Sequence, residues 1–216
     1  MSKSITTPIG RVSFPNLVKP QQYMPESKPK YSLALLLPKN DPKVPEFLKW
    51  LKEAVTAEAT AVAGAKNIQA AMSNFTNLKD GDNVSLFKTY RSEYAGHYIL
   101  NMSRNAEYNK PRTVNRDKQD IDPSEIYAGC NARAYIDVFG YTAGPKKGVT
   151  VGVQHVQKTG ENTPFTSTGV PVNDAFSELD LPAEDAYAGV EDLNPAPTAA
   201  PTGPVVPPTR DPFAGV

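Results

Sequence analysis

The sequence predicts a mainly β domain carrying one amphipathic helix, followed by a disordered, acidic, proline-rich tail. Three observations predict it. Residues 127–158 alternate apolar and polar side chains about a central turn, the period of two extended strands. Residues 41–66 switch to a period near that of an α-helix. After Thr159 periodicity is lost, and Pro, Ala, Thr and Asp take over. The domain therefore spans residues 1–159 and the tail 160–216.

The bulk composition supports this division. A chain of 216 residues with 39% hydrophobic content can bury one ordinary core, whereas 21 prolines are too many for an evenly globular chain. No apolar run approaches the roughly 20 residues that span a bilayer, and residues 1–8 lack the apolar segment of a secretory signal. No membrane association is expected, and the expected location is the cytoplasm. Cys130 is the only cysteine and His97 and His155 the only histidines, which leaves no intrachain disulfide and no zinc-like cluster. No metal or cofactor is expected. The net charge of zero hides two opposite halves: residues 1–159 hold 22 Lys+Arg against 14 Asp+Glu, while residues 160–216 hold Arg210 against 9 acids. A basic body of +8 joined to a tail of −8 suits a domain that binds a polyanion and a solvated, interacting terminus.

Taken in order, residues 10–17 form the first strand, and Pro15 within it requires an edge position or an early break. Residues 30–37 are the most continuous apolar run and predict a strand covered on both faces. In the helix, Val44, Phe47, Leu48, Leu51, Val55 and Val62 share one stripe with Lys49, Lys52, Glu53 and Glu58 opposite. Asp41-Pro42 supplies its start and Gly64 its stop. Residues 65–89 carry little signal beyond a turn at Asp80-Gly81-Asp82, which lacks the ligand spacing of a calcium loop. A strand over residues 96–104 places Tyr98, Leu100 and Met102 on one side and His97, Asn101 and Ser103 on the other. A long polar loop with Arg104, Lys110, Arg112, Arg116 and Lys118 follows, suited to a mobile arm closing over a phosphate backbone. A short helical turn at 122–127 then leads into the hairpin.

In the hairpin, Ala128, Cys130, Ala132, Ala134, Ile136 and Val138 form the small apolar face, where Cys130 packs rather than reacts. The opposite face carries Asn131, Arg133, Tyr135, Asp137, Phe139 and Tyr141. After the turn at 144–148, Val149, Val151 and Val153 fall on one side and Thr150, Gln154 and Lys158 on the other. Aromatics interleaved with Arg, Lys, Asn and Gln are the surface that single-stranded nucleic acid binds, since every base offers a π-face and every phosphate a charge. The same residues also serve as ordinary cross-strand packing. The candidate DNA contacts are Arg133, Tyr135, Phe139, Tyr141 and Lys158, with Lys88, Tyr90 and Arg91 from the basic-aromatic run 87–94 and Arg112 and Arg116 from the loop. In the tail, Asp211-Pro212-Phe213 places one aromatic at the end of a polar tether, the form of a short partner-docking motif.

Two strands, a helix, a strand and a final hairpin around a small core are compatible with an elaborated OB-type barrel of about five strands. The segments Lys30-Tyr31 through Leu37-Pro38-Lys39, Tyr127-Ala-Gly-Cys130 and Lys147-Gly148-Val149 through Gln154 to Gln157-Lys158 resemble the single-stranded-DNA-binding proteins of tailed phages, over residues 8–160. That resemblance implies a non-enzymatic OB-fold protein that coats phage DNA during replication, recombination and repair in the host cytoplasm. It further implies a tail that contacts polymerase, helicase or nuclease partners. Assembly as a homodimer, or cooperatively along DNA, stays open. The tail departs from the family pattern: its acids are spread over residues 174–192, and three residues follow Phe213.

Two other classes compete. A virion or scaffold structural protein would also combine a β-rich domain with a proline-rich tail. A metal-dependent nuclease needs clustered carboxylates, and Asp117, Asp120 and Asp122 are the only close acidic set in the body. They precede a helical turn, where capping and solvation account for them.

Overall fold

The computed structural model describes residues 3–64, 67–144 and 146–165. The chain divides into two units, residues 1–168 and 169–216, of which the second lies outside the described residues.

In the first unit eight strands form one sheet: β1 (Ser4–Thr6), β2 (Gly10–Gln21), β3 (Lys30–Pro38), β4 (Leu78–Asp80), β5 (His97–Asn105), β6 (Arg112–Val114), β7 (Asn131–Ala143) and β8 (Lys146–Gly160). Its pairings run β7-β2-β3-β5-β8 and return to β7. Two of these junctions are narrow, with two residue pairs between β2 and β7 and the single parallel pair Ser103↔Gly152 between β5 and β8. The ring is held mainly by β3, paired with β2 from Arg11↔Leu36 to Gln21↔Lys30 and with β5 from Lys30↔Asn105 to Pro38↔His97, and by the long β7–β8 hairpin. β1 lies along β7, β4 along β5 and β6 along β8.

The inner faces supply the core. Leu33, Leu35 and Leu37 of β3, Leu100 and Met102 of β5, and Ala132, Ala134, Ile136 and Val138 of β7 are buried with Val149, Val151, Val153 and Val156 of β8. Helix α1 (Lys43–Ala63) lies against them through Val44, Phe47, Leu51 and Val55. It begins where the Asp41 carboxylate accepts the Lys43 N–H at 2.8 Å and ends at Gly64, whose φ of 74° suits glycine. The continuous apolar run of β3 is covered on both faces as its composition predicts. Ala34 and Leu36 point to the other side and pack with Ile99 and Tyr94 in a second cluster.

Three expectations are corrected. Glu58 is buried rather than solvated, because position 58 lies three residues after Val55 and seven after Leu51, on the helix stripe itself. Its carboxylate is satisfied by Lys3 at 2.6 Å and by the Gly140 N–H at 3.1 Å. The Lys3 contact, helped by that backbone donor and opposed by burial, holds its pKa below the usual carboxylate range. Gly140 lies against α1, and a side chain there would collide with Val62. The strand expected first is preceded by β1, so it is β2, and it runs on to Gln21 and is interior at its start. Pro15 is accommodated beside a bulge, where Phe14 takes a φ of 48° and the register with β3 shifts between Ser13 and Asn16. The weakly patterned region contributes a short helix α2 (Ile68–Ser73) and β4.

The body's contacts continue to Phe165. Its N–H donates to the Ala128 carbonyl at 3.0 Å, and its ring packs on the second cluster under the Arg11 guanidinium, 4.0 Å from the ring centre. Residues 166–216, with Asp211, Pro212 and Phe213, lie outside the described residues.

Candidate nucleic-acid interface

β7 separates its side chains by parity. Ala132, Ala134, Ile136 and Val138 are buried, whereas Arg133, Tyr135 and Phe139 are exposed. Tyr141 is half-buried because its ring lies on Gly148 across the hairpin, where a Cβ would come within 2.7 Å of its hydroxyl.

A bulge changes the parity of β8. Tyr135 faces His155 while Ile136 faces Val153, so Gln154 is an extra residue. Val153 and Val156 are both buried as a result, and His155 and Gln157 come outward opposite Tyr135 and Arg133. The predicted grouping of Lys158 with Thr150 is therefore corrected. Lys158 lies opposite Ala132, its side chain only 13% exposed, bonded to Glu161 at 2.7 Å and over the Tyr127 ring. It does not join the outward Arg133 and Tyr135.

Two rows of outward side chains cross the hairpin. The first runs over four strands as Thr6, Tyr135, His155 and Arg112, fixed by direct pairings. The Tyr135 and His155 rings are stacked at 6.0 Å with 16° between their planes. Beside them Arg133 donates to Gln157 Oε1 at 2.7 Å, and Gln157 Nε2 donates to the carbonyls of Asn115 and Arg116. Together with Lys118, these groups line a hollow of about 240 Å³. Arg112 is aimed by a two-bond pairing with Asp120, whose carboxyl it holds below the usual range. Both partners are well exposed, so the pair orients more than it stabilises. Lys118 takes a φ of 65° at the tip of the 115–119 turn. The expected mobile arm is instead a tight hairpin. β6 pairs in parallel with β8, the Ile121 N–H donates to the Thr113 carbonyl, and Gln157 holds the turn.

The second row is a strip of small residues: Asn16, Ser32, Ser103, Gly152 and Asp137, each paired with the next across β2, β3, β5, β8 and β7. Aromatics stand at both ends. Phe14 and Tyr23 are 49% and 67% exposed at the β2 end, where the groove measures about 370 Å³ and also includes Asn77 and Asn101. At the other end Phe139 leans over Gly152, its ring edge 2.9 Å from where a Cβ would stand.

The other predicted contacts gather beside Phe14. Arg91 lies over the Phe14 ring at 4.7 Å, and Tyr90 packs edge-on to Phe87 and Tyr94, with Lys88 exposed in the same segment. The structure thus brings Arg112, Arg133 and Tyr135 together at one hollow, with Arg116 in the adjoining turn through its carbonyl. Phe139 and Tyr141 stand further along β7, Lys88, Tyr90 and Arg91 form a separate group, and Lys158 stands apart. Sequence reasoning missed Phe14, Tyr23 and His155. The bulge beside Phe14 has a trace in Pro15, but the β8 bulge that turns His155 outward has none.

Two of the three carboxylates of the 117–122 set are engaged as the capping reading expects: Asp120 on Arg112, and Asp122 on the Ser124 N–H, capping the turn at Pro123–Glu125. Asp80 and Asp82 both grip Lys39, at 2.5 and 2.7 Å. No group of three or more His, Cys, Asp and Glu able to hold a metal occurs among the described residues.

Comparison with known proteins agrees with this architecture. The ssDNA-binding protein of bacteriophage Enc34, solved in complex with ssDNA, superposes with a TM-score of 0.64 at 24% identity, over 76% of this chain and 90% of that one. A C-terminal truncation of the same phage protein gives 0.62 at 25% identity over 76% and 89%. The bacteriophage T7 single-stranded DNA-binding protein gp2.5 gives 0.53 at 14% identity over 79% and 98%, a likeness of fold alone. No curated protein sequence matches the chain. A family model, described as the ssDNA-binding protein of Enterobacter phage Enc34, matches residues 3–187. With most of its length inside that match, the chain belongs to the Enc34 family of phage single-stranded-DNA-binding proteins.

Proposed function

We propose that the protein coats single-stranded DNA in the host cytoplasm during phage replication and recombination, and that it acts by binding, not by catalysis. The strand would lie on the outer face of the barrel. The observation that supports this most is the strip of small residues between exposed aromatics. A floor of Ser32, Ser103 and Gly152 lets bases approach the sheet, and Phe14, Tyr23 and Phe139 offer rings to stack on. In OB-type barrels oligonucleotides bind on the second and third strands, here β3 and β5, between the loop joining the first two strands and the tip of the last hairpin. From Phe139 the path continues to Tyr135 and His155, where Arg112, Arg116, Lys118 and Arg133 supply cations for phosphates. Tyr141 lies beside the path, and Lys88, Tyr90 and Arg91 extend it past Phe14.

The acidic tail is proposed to compete weakly with DNA for this basic face and, once displaced, to offer Asp211, Pro212 and Phe213 to replication partners such as a polymerase, helicase or nuclease. The charge halves of +8 and −8 on one chain support this reading.

Fluorescence titration with labelled oligo-dT at several salt concentrations tests both parts. Binding that weakens steeply with salt is expected. Affinity flat in salt would favour a virion or scaffold protein instead. A chain ended after Phe165, which keeps the contacts of residues 161–165, should bind more tightly at low salt and about equally at high salt. Equal affinity at low salt would leave the tail a docking role alone.

A further inference from the structure

The strip holds one group that suits neither stacking nor phosphate. Asp137 sits on β7 between Tyr135 and Phe139, opposite Gly152. Its carboxylate lies down over Gly152, where any side chain would collide with Oδ1 and meet the Phe139 ring. Oδ1 is buried and has no hydrogen-bond partner among the described residues. None of the ion pairs among the described residues includes Asp137, although Arg112 stands on the adjacent row and Arg133 one row beyond it. A buried acceptor without a donor is costly, and one carrying a charge is costlier still. Such a group at a ligand surface calls for a donor from the ligand.

We propose that Asp137 reads a base, accepting hydrogen bonds from the Watson–Crick edge of a guanine held at the Phe139 end of the strip. The proposal rests on the strip being the DNA path. A carboxylate repels phosphate, so the strand must turn its bases toward Asp137 and its backbone toward the cations beyond it. The four bases then differ in what they can give. Guanine presents two adjacent donors, N1–H and N2–H, which match the two oxygens of a carboxylate. Cytosine and adenine present one amine beside an acceptor. Thymine presents one N–H between two carbonyls, which repel the carboxylate. A base stacked on the exposed face of Phe139 has its edge free, and rotation about the Asp137 Cα–Cβ bond lifts the carboxylate off Gly152 to meet it. A protein that otherwise binds by stacking and charge would thereby favour guanine at one nucleotide position.

The test compares full-length protein on an oligo-dT, on the same oligomer with one dG placed at each position in turn, and on the series with deoxyinosine, which lacks the N2 amine. The best-placed dG should tighten binding about 5- to 10-fold over dT, with inosine intermediate. In Asp137→Ala the preference should vanish while affinity for dT is kept or improved, since a repulsive charge is gone. Should that variant lose its fold by thermal melting, Asp137→Asn, with one acceptor and one donor, should lower the guanine preference at similar size. Equal affinity for dG-bearing and plain oligomers in the natural protein, or a preference that survives both substitutions, overturns the proposal. Failure to bind oligo-dT at all would instead overturn the DNA path on which it rests.

Discussion

The two faces of the β7–β8 hairpin share one backbone and have opposite requirements. Inward, Ala134, Ile136 and Val138 face Val156, Val153 and Val151, and what counts is volume and the absence of polar atoms. Outward, Arg133, Tyr135, Asp137 and Phe139 meet Gln157, His155, Gly152 and Thr150, and what counts is the chemistry of each side chain. Because parity alone assigns a residue to one face, stability and the proposed recognition become separable position by position, and the bulge at Gln154 is where that assignment changes hands.

The sharpest way to break this comparison is at its inner face. Ile136 is fully buried, so Ile136→Ala should cost about 2–5 kcal/mol of unfolding free energy, measured by denaturant titration. The fraction that remains folded should bind DNA as before. A variant of natural stability with weakened DNA binding would show that position 136 does not belong to the core face. The outer face should behave in reverse. Phe139 is 40% exposed, and Phe139→Ala should weaken oligo-dT binding by roughly 5- to 150-fold, with melting temperature little changed. Tyr135→Ala should fall in the same range. If either variant melts early and binds normally, the aromatics are cross-strand packing and the interface lies elsewhere.

The same physics decides how much of this is legible in the sequence. The period of β7 is unbroken from Asn131 to Val138, so its faces can be read directly, and the stripe of α1 likewise. The continuous apolar run of β3 announces its two-sided burial. The bulge at Gln154 inserts one residue without any local signature, which is why simple alternation puts Lys158 outward and passes over His155. The small-residue strip is assembled from five strands, and no local window contains it. Glu58 misleads for a different reason. Its charge argues for solvent, although its spacing puts it on the buried stripe, and the partner that settles the matter, Lys3, lies 55 positions earlier in the chain.

That acid sharpens the comparison, because it is a charge on the inward side tolerated only through its partners. Its pKa is lower in the folded protein than in the unfolded chain. Its contribution to stability is therefore fully present above the unfolded value of about 4.3 and is lost as the pH falls through the folded value. Glu58→Gln should melt below the natural protein at neutral pH, and the gap should close as the pH drops below about 4. A gap independent of pH would mean that Glu58 contributes through packing rather than through its charge.

The smallest expected effect is at the rim of the outer face, where on the proposed path a single cation would meet a single phosphate. Lys118 stands at the tip of the turn held by Gln157, exposed and with a φ of 65°, a conformation a lysine adopts only at some cost. The turn is closed by backbone and Asn115 side-chain bonds that do not involve the ammonium, so Lys118→Ala should leave it in place. Lys118→Gly would relieve the backbone and remove the charge together. If Lys118 neutralises one phosphate, either substitution should lower the slope of log affinity against log salt by about 0.7 and weaken binding uniformly across base sequences. The stacking contribution of Tyr135 and Phe139 should survive unchanged at high salt, because screening acts on the charge and not on the rings. The two variants also separate the backbone from the side chain. Lys118→Gly should be the more stable of the two by melting, while both show the same salt slope. A slope equal to that of the natural protein in both would remove Lys118 from the phosphate path and leave the hollow to Arg112 and Arg133.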